Sequence, residues 1–151
     1  MGFKIRKAVR NDVQSLLKLI KELAIYEKAP DQVKTSAKDL ERDGFGKNKI
    51  YDCFVVTEKN NTIVGMALFY TKYSTWKGRC IFLEDIIVTK KFRGLGVGKL
   101  LFDRVVLEGK KMKVRKIEWQ VLNWNKPAIG FYKKYDTLFD NDWINCKLVF
   151  E

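Results

Sequence analysis

Arg93-Gly94-Leu95-Gly96-Val97-Gly98-Lys99 stands between an apolar run, Ile81 to Val88, and an amphipathic one, Leu100 to Val106. An extended segment, a glycine-rich turn and a helix start together make an anion cradle. Glycine permits turns that aim several backbone N–H groups at one point, and the helix start adds the positive end of its dipole. Such a cradle suits a phosphorylated ligand. Two familiar phosphate loops fail the test. A P-loop requires glycine five residues before the Gly-Lys pair and Ser or Thr after it; this chain has Arg93 and Leu100 there. A dinucleotide fingerprint starting at Gly94 and Gly96 requires glycine where Lys99 stands. What remains is Arg-x-x-Gly-x-Gly. A plain strand-to-helix turn is the simpler reading, but three glycines in five residues, flanked by Arg93 and Lys99, weigh against it.

Two side chains invite acid–base chemistry. Glu84 lies within the apolar run, where period-two alternation puts Phe82, Ile86 and Val88 on its face and sends Asp85 to the opposite one. A carboxylate on such a face is costly without a partner or a function. A salt bridge to one of the thirty basic residues is the alternative, and Asp85 is assigned a structural role. Tyr132, in Phe131-Tyr132-Lys133-Lys134, offers a phenol that can donate a proton to a leaving group. As one of six tyrosines it is, from the residues alone, more readily a helix-surface packing residue. The chain has no histidine. That excludes Ser-His-Asp and Cys-His catalysis and argues against a catalytic zinc, so no metal is expected.

These groups need a fold to position them. At 151 residues, 46% hydrophobic and 13% aromatic, the chain is expected to form one globular domain over residues 1–151 with a substantial core. No apolar run approaches a membrane span, and the polar, alternating start is no signal peptide. Cys53, Cys80 and Cys146 are scattered, as expected of reduced thiols in a cytoplasmic protein. The net charge of +12 suits a polyanionic ligand. It is dispersed over the whole chain with no nucleic-acid-binding pattern, so no nucleic acid and no membrane partner is expected.

Strands are expected at Lys4 to Val9, Asp52 to Glu58, Thr62 to Lys72, Arg79 to Val88, Lys116 to Leu122 and Trp143 to Phe150. Lys59-Asn60-Asn61 reads as a tight hairpin turn. Helices are expected over about 12 to 26 behind Asn11 or Asp12, from Thr35 or Ser36 to near Gly44, from about Val97 to Lys110, and from Pro127 to about Tyr135. This order specifies a mixed α/β domain around a central sheet.

The cradle and this element order resemble the GNAT superfamily of acetyl-CoA-dependent N-acetyltransferases. Three further segments resemble its spermidine/spermine acetyltransferase family. They are Lys21 to Glu27 with Asp31-Gln32-Val33, Asp43-Gly44-Phe45-Gly46, and Ser74 to Arg79 leading into Leu83-Glu84-Asp85. The last looks most like the thialysine N-ε-acetyltransferase branch. The resemblance implies a mostly antiparallel sheet with helices on both faces and a splayed strand pair for acetyl-CoA. Backbone at Ile86, Ile87 and Val88 would take the pantetheine arm. Arg93, Gly94, Leu95, Gly96, Val97, Gly98 and Lys99 would hold the pyrophosphate, with further cofactor contacts from Asn125, Lys126, Pro127, Ala128 and Tyr135. Glu84 would help deprotonate the acceptor amine through water, and Tyr132 would protonate the departing thiolate.

The acceptor would be a small cationic amine, met by Tyr26, Glu27, Glu84, Trp76, Glu118 and Gln120. Ser74 stands where the polyamine branch carries an aspartate, which favours small primary amines over spermine. With no cysteine in these motifs, transfer is expected to be direct, in a ternary complex. A homodimer is implied by the family. The family has a glycine where this chain has Asp136, which puts the geometry of Asp136 to Asp142 in question. The rival readings are a protein or peptide acetyltransferase on the same fold and a non-catalytic CoA- or nucleic-acid-binding module.

Overall fold

The structure, a computed structural model, describes residues 2–151. It divides into two compact units, Met1–Gln120 and Val121–Glu151. The first unit contains a five-stranded sheet in the order β1-β2-β3-β4-β5. Its strands are β1 (Lys4–Lys7), β2 (Asp52–Thr57), β3 (Ile63–Ser74), β4 (Gly78–Val88) and β5 (Ile117–Glu118). The first four are antiparallel neighbours, and β5 joins β4 in parallel. Helices α1 (Val13–Tyr26) and α2 (Ala37–Phe45) precede β2, and α3 (Val97–Met112) follows β4.

Periodicity explains the two faces. Val13, Leu16 and Leu19 of α1 recur at helical spacing and bury against Leu40 of α2 and Cys53, Val55, Met66, Leu68 and Ile87 of the sheet. The alternate residues of the same strands, such as Phe54 and Phe69, stack on the other face. There α3 packs closely: a side chain at Gly65 would run into Val97 and Leu101. Ser36 caps α2 in a reciprocal box with Asp39, each accepting the other's backbone N–H at 3.1 and 2.9 Å. Gly44 leaves room for the Tyr51 ring, whose hydroxyl donates to the Leu40 carbonyl at 2.7 Å. Helices thus lie on both faces of a mostly antiparallel sheet, as expected.

Two strand expectations need correction. Only Ile117 and Glu118 of the expected 116–122 run pair with β4, opposite Ile81 and Phe82. Just beyond that point β4 carries a β-bulge. Leu68 pairs with Asp85 and Phe69 with Leu83, so Glu84 is the extra residue. A bulge bends and twists its strand, and the parallel ladder ends there. Among the described residues, no strand pairs with the β5-side edge of β4 from Leu83 to Val88.

The second unit contains α4 (Lys126–Tyr132). Asn125 caps it, its side chain accepting from the Ala128 N–H at 3.3 Å, with Pro127 in the first turn. Asp136 has no positive φ. The turn after α4 closes instead through the Thr137 hydroxyl, which donates to the Tyr132 carbonyl at 2.7 Å. The expected strand from Trp143 to Phe150 does not form. The segment is exposed and carries no ladder bonds, and an apolar run becomes a strand only where a neighbour accepts its backbone.

Candidate active site

The cradle sits where the element order puts it. After β4 a 3-10 turn spans Lys90–Phe92, and α3 begins at Val97. Gly94 and Gly96 have φ of 76° and 86°, and a Cβ at either would meet nothing within 4 Å. Backbone conformation therefore requires glycine here, and the space beside it is open. Gly96 is the N-cap of α3; no side chain caps the helix and its first turn holds no acid. The N–H groups of Val97, Gly98 and Lys99 have no intrahelical acceptor and lie at the positive end of a 16-residue helix. Leu95 stands exposed at the turn. The flanking cations are engaged within the protein. Arg93 donates from Nε to the Val88 carbonyl at 2.8 Å, and Lys99 pairs with Asp103.

The bulge reorganises the middle of β4. Parity places Glu84 with Phe82, Ile86 and Val88 and sends Asp85 away. The extra residue resets the alternation instead. Glu84 stays with Phe82: the Tyr70 hydroxyl donates to its Oε1 at 2.9 Å, and the Tyr70 and Phe82 rings lie 5.6 Å apart. Asp85, in register with Leu68, points to the same α1 side. Ile86 and Val88, in register with Ala67 and Gly65, turn to the α3 face. Ile87 is buried against α1. Asp85 is therefore a neighbour of Glu84 and does not sit on the opposite face.

The electrostatics follow from that placement. Burial, reinforced by the nearby carboxylates of Glu84 and Glu27, pushes the Asp85 carboxyl up to about 7. Burial also raises Glu27 at the end of α1. Burial, then the hydrogen bond to Glu84, pushes the Tyr70 phenol up to about 12, so it remains a donor at neutral pH. Among the described residues, no lysine or arginine pairs with Glu27, Glu84 or Asp85, although the chain carries a net charge of +12. A cation arriving beside the buried Asp85 carboxyl would favour its ionised form.

The remaining expected residues are more dispersed. Glu118, opposite Phe82, shares this sheet face but is already bound by Lys72 at 3.1 Å and Lys116 at 2.7 Å. Gln120 is exposed beyond β5. Trp76 is 84% exposed in the β3–β4 turn, whose two N–H bonds from Trp76 and Lys77 are accepted by the Ser74 hydroxyl. The six steps from Gly78 to Glu84 span about 20 Å of strand, so Trp76 is not gathered with the carboxyls. Tyr26 lies under the Arg93 guanidinium, 5.0 Å from ring to carbon.

In the second unit Asn125 caps α4, Lys126, Pro127 and Ala128 form its first turn, and Tyr132 is buried. The Phe131 ring contacts those of Tyr132 and Tyr135 at 5.4 and 5.7 Å. Sequence reasoning missed three contributors: Tyr70, the acid at Asp85, and Glu22 of α1, whose carboxylate accepts from Thr89 and Lys90. Only Tyr70 had a readable signal, since a correct β3–β4 register sets it opposite Phe82.

A model of the acetyltransferase (GNAT) family matches residues 15–136. Thialysine N-epsilon-acetyltransferase of Bos taurus is 41% identical over 136 residues, spanning 85% of this chain and 80% of that protein. Spermidine/spermine N(1)-acetyltransferase-like protein 1 of Homo sapiens is 34% identical over 86% of this chain and 20% of its own length. Among solved structures, an aminoglycoside acetyltransferase from an uncultured soil metagenomic sample superposes with a TM-score of 0.80 at 16% identity, covering 99% of this chain and 97% of that one.

Proposed function

This chain belongs to the GNAT acetyltransferase family, and we propose that it moves an acetyl group from acetyl-CoA to the primary amine of a small cationic acceptor. Thialysine, a lysine-like amino acid, a diamine or a short polyamine would serve. The observation that carries the choice of acceptor is that, among the described residues, no lysine or arginine pairs with Glu27, Glu84 or Asp85 in a strongly basic protein. The name of the bovine relative supports the same choice.

On the donor side, the pyrophosphate takes backbone N–H groups from Gly94 to Lys99, and the pantetheine arm follows the unpaired edge of β4 along Ile86 to Val88. Asn125, Lys126, Pro127, Ala128 and Tyr135 retain their cofactor assignments on the family pattern. A backbone N–H of β4 supports the tetrahedral oxyanion.

On the acceptor side, the ammonium enters among the carboxyls, with Tyr26 as a wall. Glu118 marks the farther end of that face with Gln120 just beyond it, and Trp76 serves the far end of a longer acceptor. An amine with a pKa of ~10.4 has only about one free base in 10³ to 10⁴ molecules at pH 7, a barrier of roughly 4–5 kcal/mol. Glu84, held by Tyr70, accepts the proton through water as nitrogen attacks the thioester carbon. The tetrahedral intermediate then collapses: the carbon–sulfur bond breaks, and Tyr132 gives its proton to the thiolate. Attack is direct, in a ternary complex, without a covalent enzyme intermediate.

The family match crosses both units, which supports one functional domain over 1–151. We propose a homodimer in the cytoplasm. The exposed apolar side chains of Trp143, Ile144, Leu148 and Phe150 support an intersubunit role for that segment, and three free thiols suit a reducing compartment.

The test is a panel of amines with acetyl-CoA, following both CoA release and acetylated product by mass. Thialysine and lysine-like amines should yield one acetylated amine per CoA. Acetylation of a peptide panel in preference to every small amine would replace this reading with the protein-directed one. CoA binding without transfer to any acceptor would replace it with a non-catalytic module.

A further inference from the structure

Glu22 lies on α1 one turn before Tyr26, so both side chains face the same way. Its carboxylate accepts the Thr89 hydroxyl with both oxygens, at 3.1 and 2.9 Å, and the Lys90 N–H at 3.0 Å. Thr89 and Lys90 open the 3-10 turn that carries the chain from β4 into the cradle. Arg93, the last residue before the glycines, places Nη2 3.7 Å from the same carboxylate. Its guanidinium also stacks over the Tyr26 ring at 5.0 Å and holds the Val88 carbonyl at 2.8 Å. Tyr26 adjoins Glu27, whose charge is felt at Asp85.

We infer that Glu22 is a positioning residue that couples donor binding at the cradle to acceptor binding at the Tyr26–Glu27 wall, through Arg93. The inference rests on the donor and acceptor assignments proposed above. A carboxylate bonded to two successive residues of a turn fixes the conformation of that turn. Because the same joint holds the cation that covers Tyr26, displacing one end must disturb the other. Ordering of the cradle by CoA therefore also orders the acceptor wall, and binding of amine does the reverse by the same factor.

The experiment measures the dissociation constant of CoA by calorimetry, with and without saturating thialysine, for the parent, Glu22→Gln and Glu22→Ala. Melting temperatures are recorded beside it. The parent should bind CoA about fivefold or more tightly with thialysine present. In Glu22→Ala that ratio should fall to near one, with KM raised for both substrates. Glu22→Gln keeps an acceptor for Thr89 and Lys90 but loses the charge facing Arg93, so it should fall between. Arg93→Lys, which cannot span the same contacts, should reproduce the loss of coupling in a chain with Glu22 intact.

A ratio unchanged in every variant, with only the melting temperature lowered, would overturn the coupling and leave Glu22 a structural residue. A parent that binds CoA and shows no ratio would overturn the coupling alone. A parent that binds no CoA would overturn the donor assignment itself, and the coupling with it.

Discussion

The middle and the C-terminal end of β4 are built on opposite plans. At its C-terminal end the cradle is backbone: two left-handed glycines and an uncapped helix start, with the neighbouring cations tied up elsewhere. At its middle the proposed acceptor corner is side chain: a single extra residue at Glu84 puts Asp85 on the same face as Glu84, where the charge of Glu27, at the end of α1, is also felt. A backbone site tolerates almost any side chain but no change in φ. A side-chain site tolerates backbone adjustment but no change in charge. On the proposed reading, the first would hold the donor and the second the acceptor amine.

Substitutions can break that contrast, and the largest effect is expected at the corner. Glu84→Gln should lower kcat/KM for the amine by about 10²-fold near neutral pH, with the deficit narrowing at high pH as the amine deprotonates unaided. Acetyl-CoA affinity should hardly move. Tyr132→Phe should lower kcat about tenfold or more with the fold intact, read as turnover at saturating substrates beside a melting curve. Full activity in both variants would sink the acid–base assignments.

Gly96→Ala tests the cradle. Holding alanine at φ near 86° costs about 1–2 kcal/mol and places a methyl beside the ligand, so KM for acetyl-CoA should rise roughly tenfold. An unchanged KM would show that the turn does not hold the donor.

The smallest effect is on stability. Asp85 titrates near 7 in the folded protein against about 3.9 unfolded. The folded state therefore holds the proton more tightly, and this group's contribution is full below about pH 4 and lost as pH rises to about 7. Asp85→Asn should raise the melting temperature relative to the parent, least at pH 4 and most at pH 8. A constant difference across that range would contradict the placement of Asp85.

What the sequence disclosed follows the same division. The cradle was legible because Gly94 and Gly96 announce positive φ locally, and Thr35 or Ser36 announces a helix start, which the structure resolves to Ser36. α1 was legible because Val13, Leu16 and Ile20 repeat its period. The acceptor corner was half legible. Glu84 was conspicuous in an apolar run, but strict alternation sent Asp85 to the wrong face, since nothing in Leu83-Glu84-Asp85 announces a bulge. That depends on how Leu68 and Phe69 of the neighbouring strand pair. The Glu22 joint was illegible because its partners lie 67 and 68 residues away. Trp143 to Phe150 has the composition of a strand, but strand formation requires a neighbour that composition cannot supply.

The most direct test of the carboxyl corner is the affinity of thialysine for the CoA complex between pH 5.5 and 8.5. The acceptor stays cationic through most of that range, while Asp85 ionises near 7. Affinity should rise several-fold through neutrality in the parent and much less in Asp85→Asn. A flat profile, or one identical in the two proteins, would contradict the account.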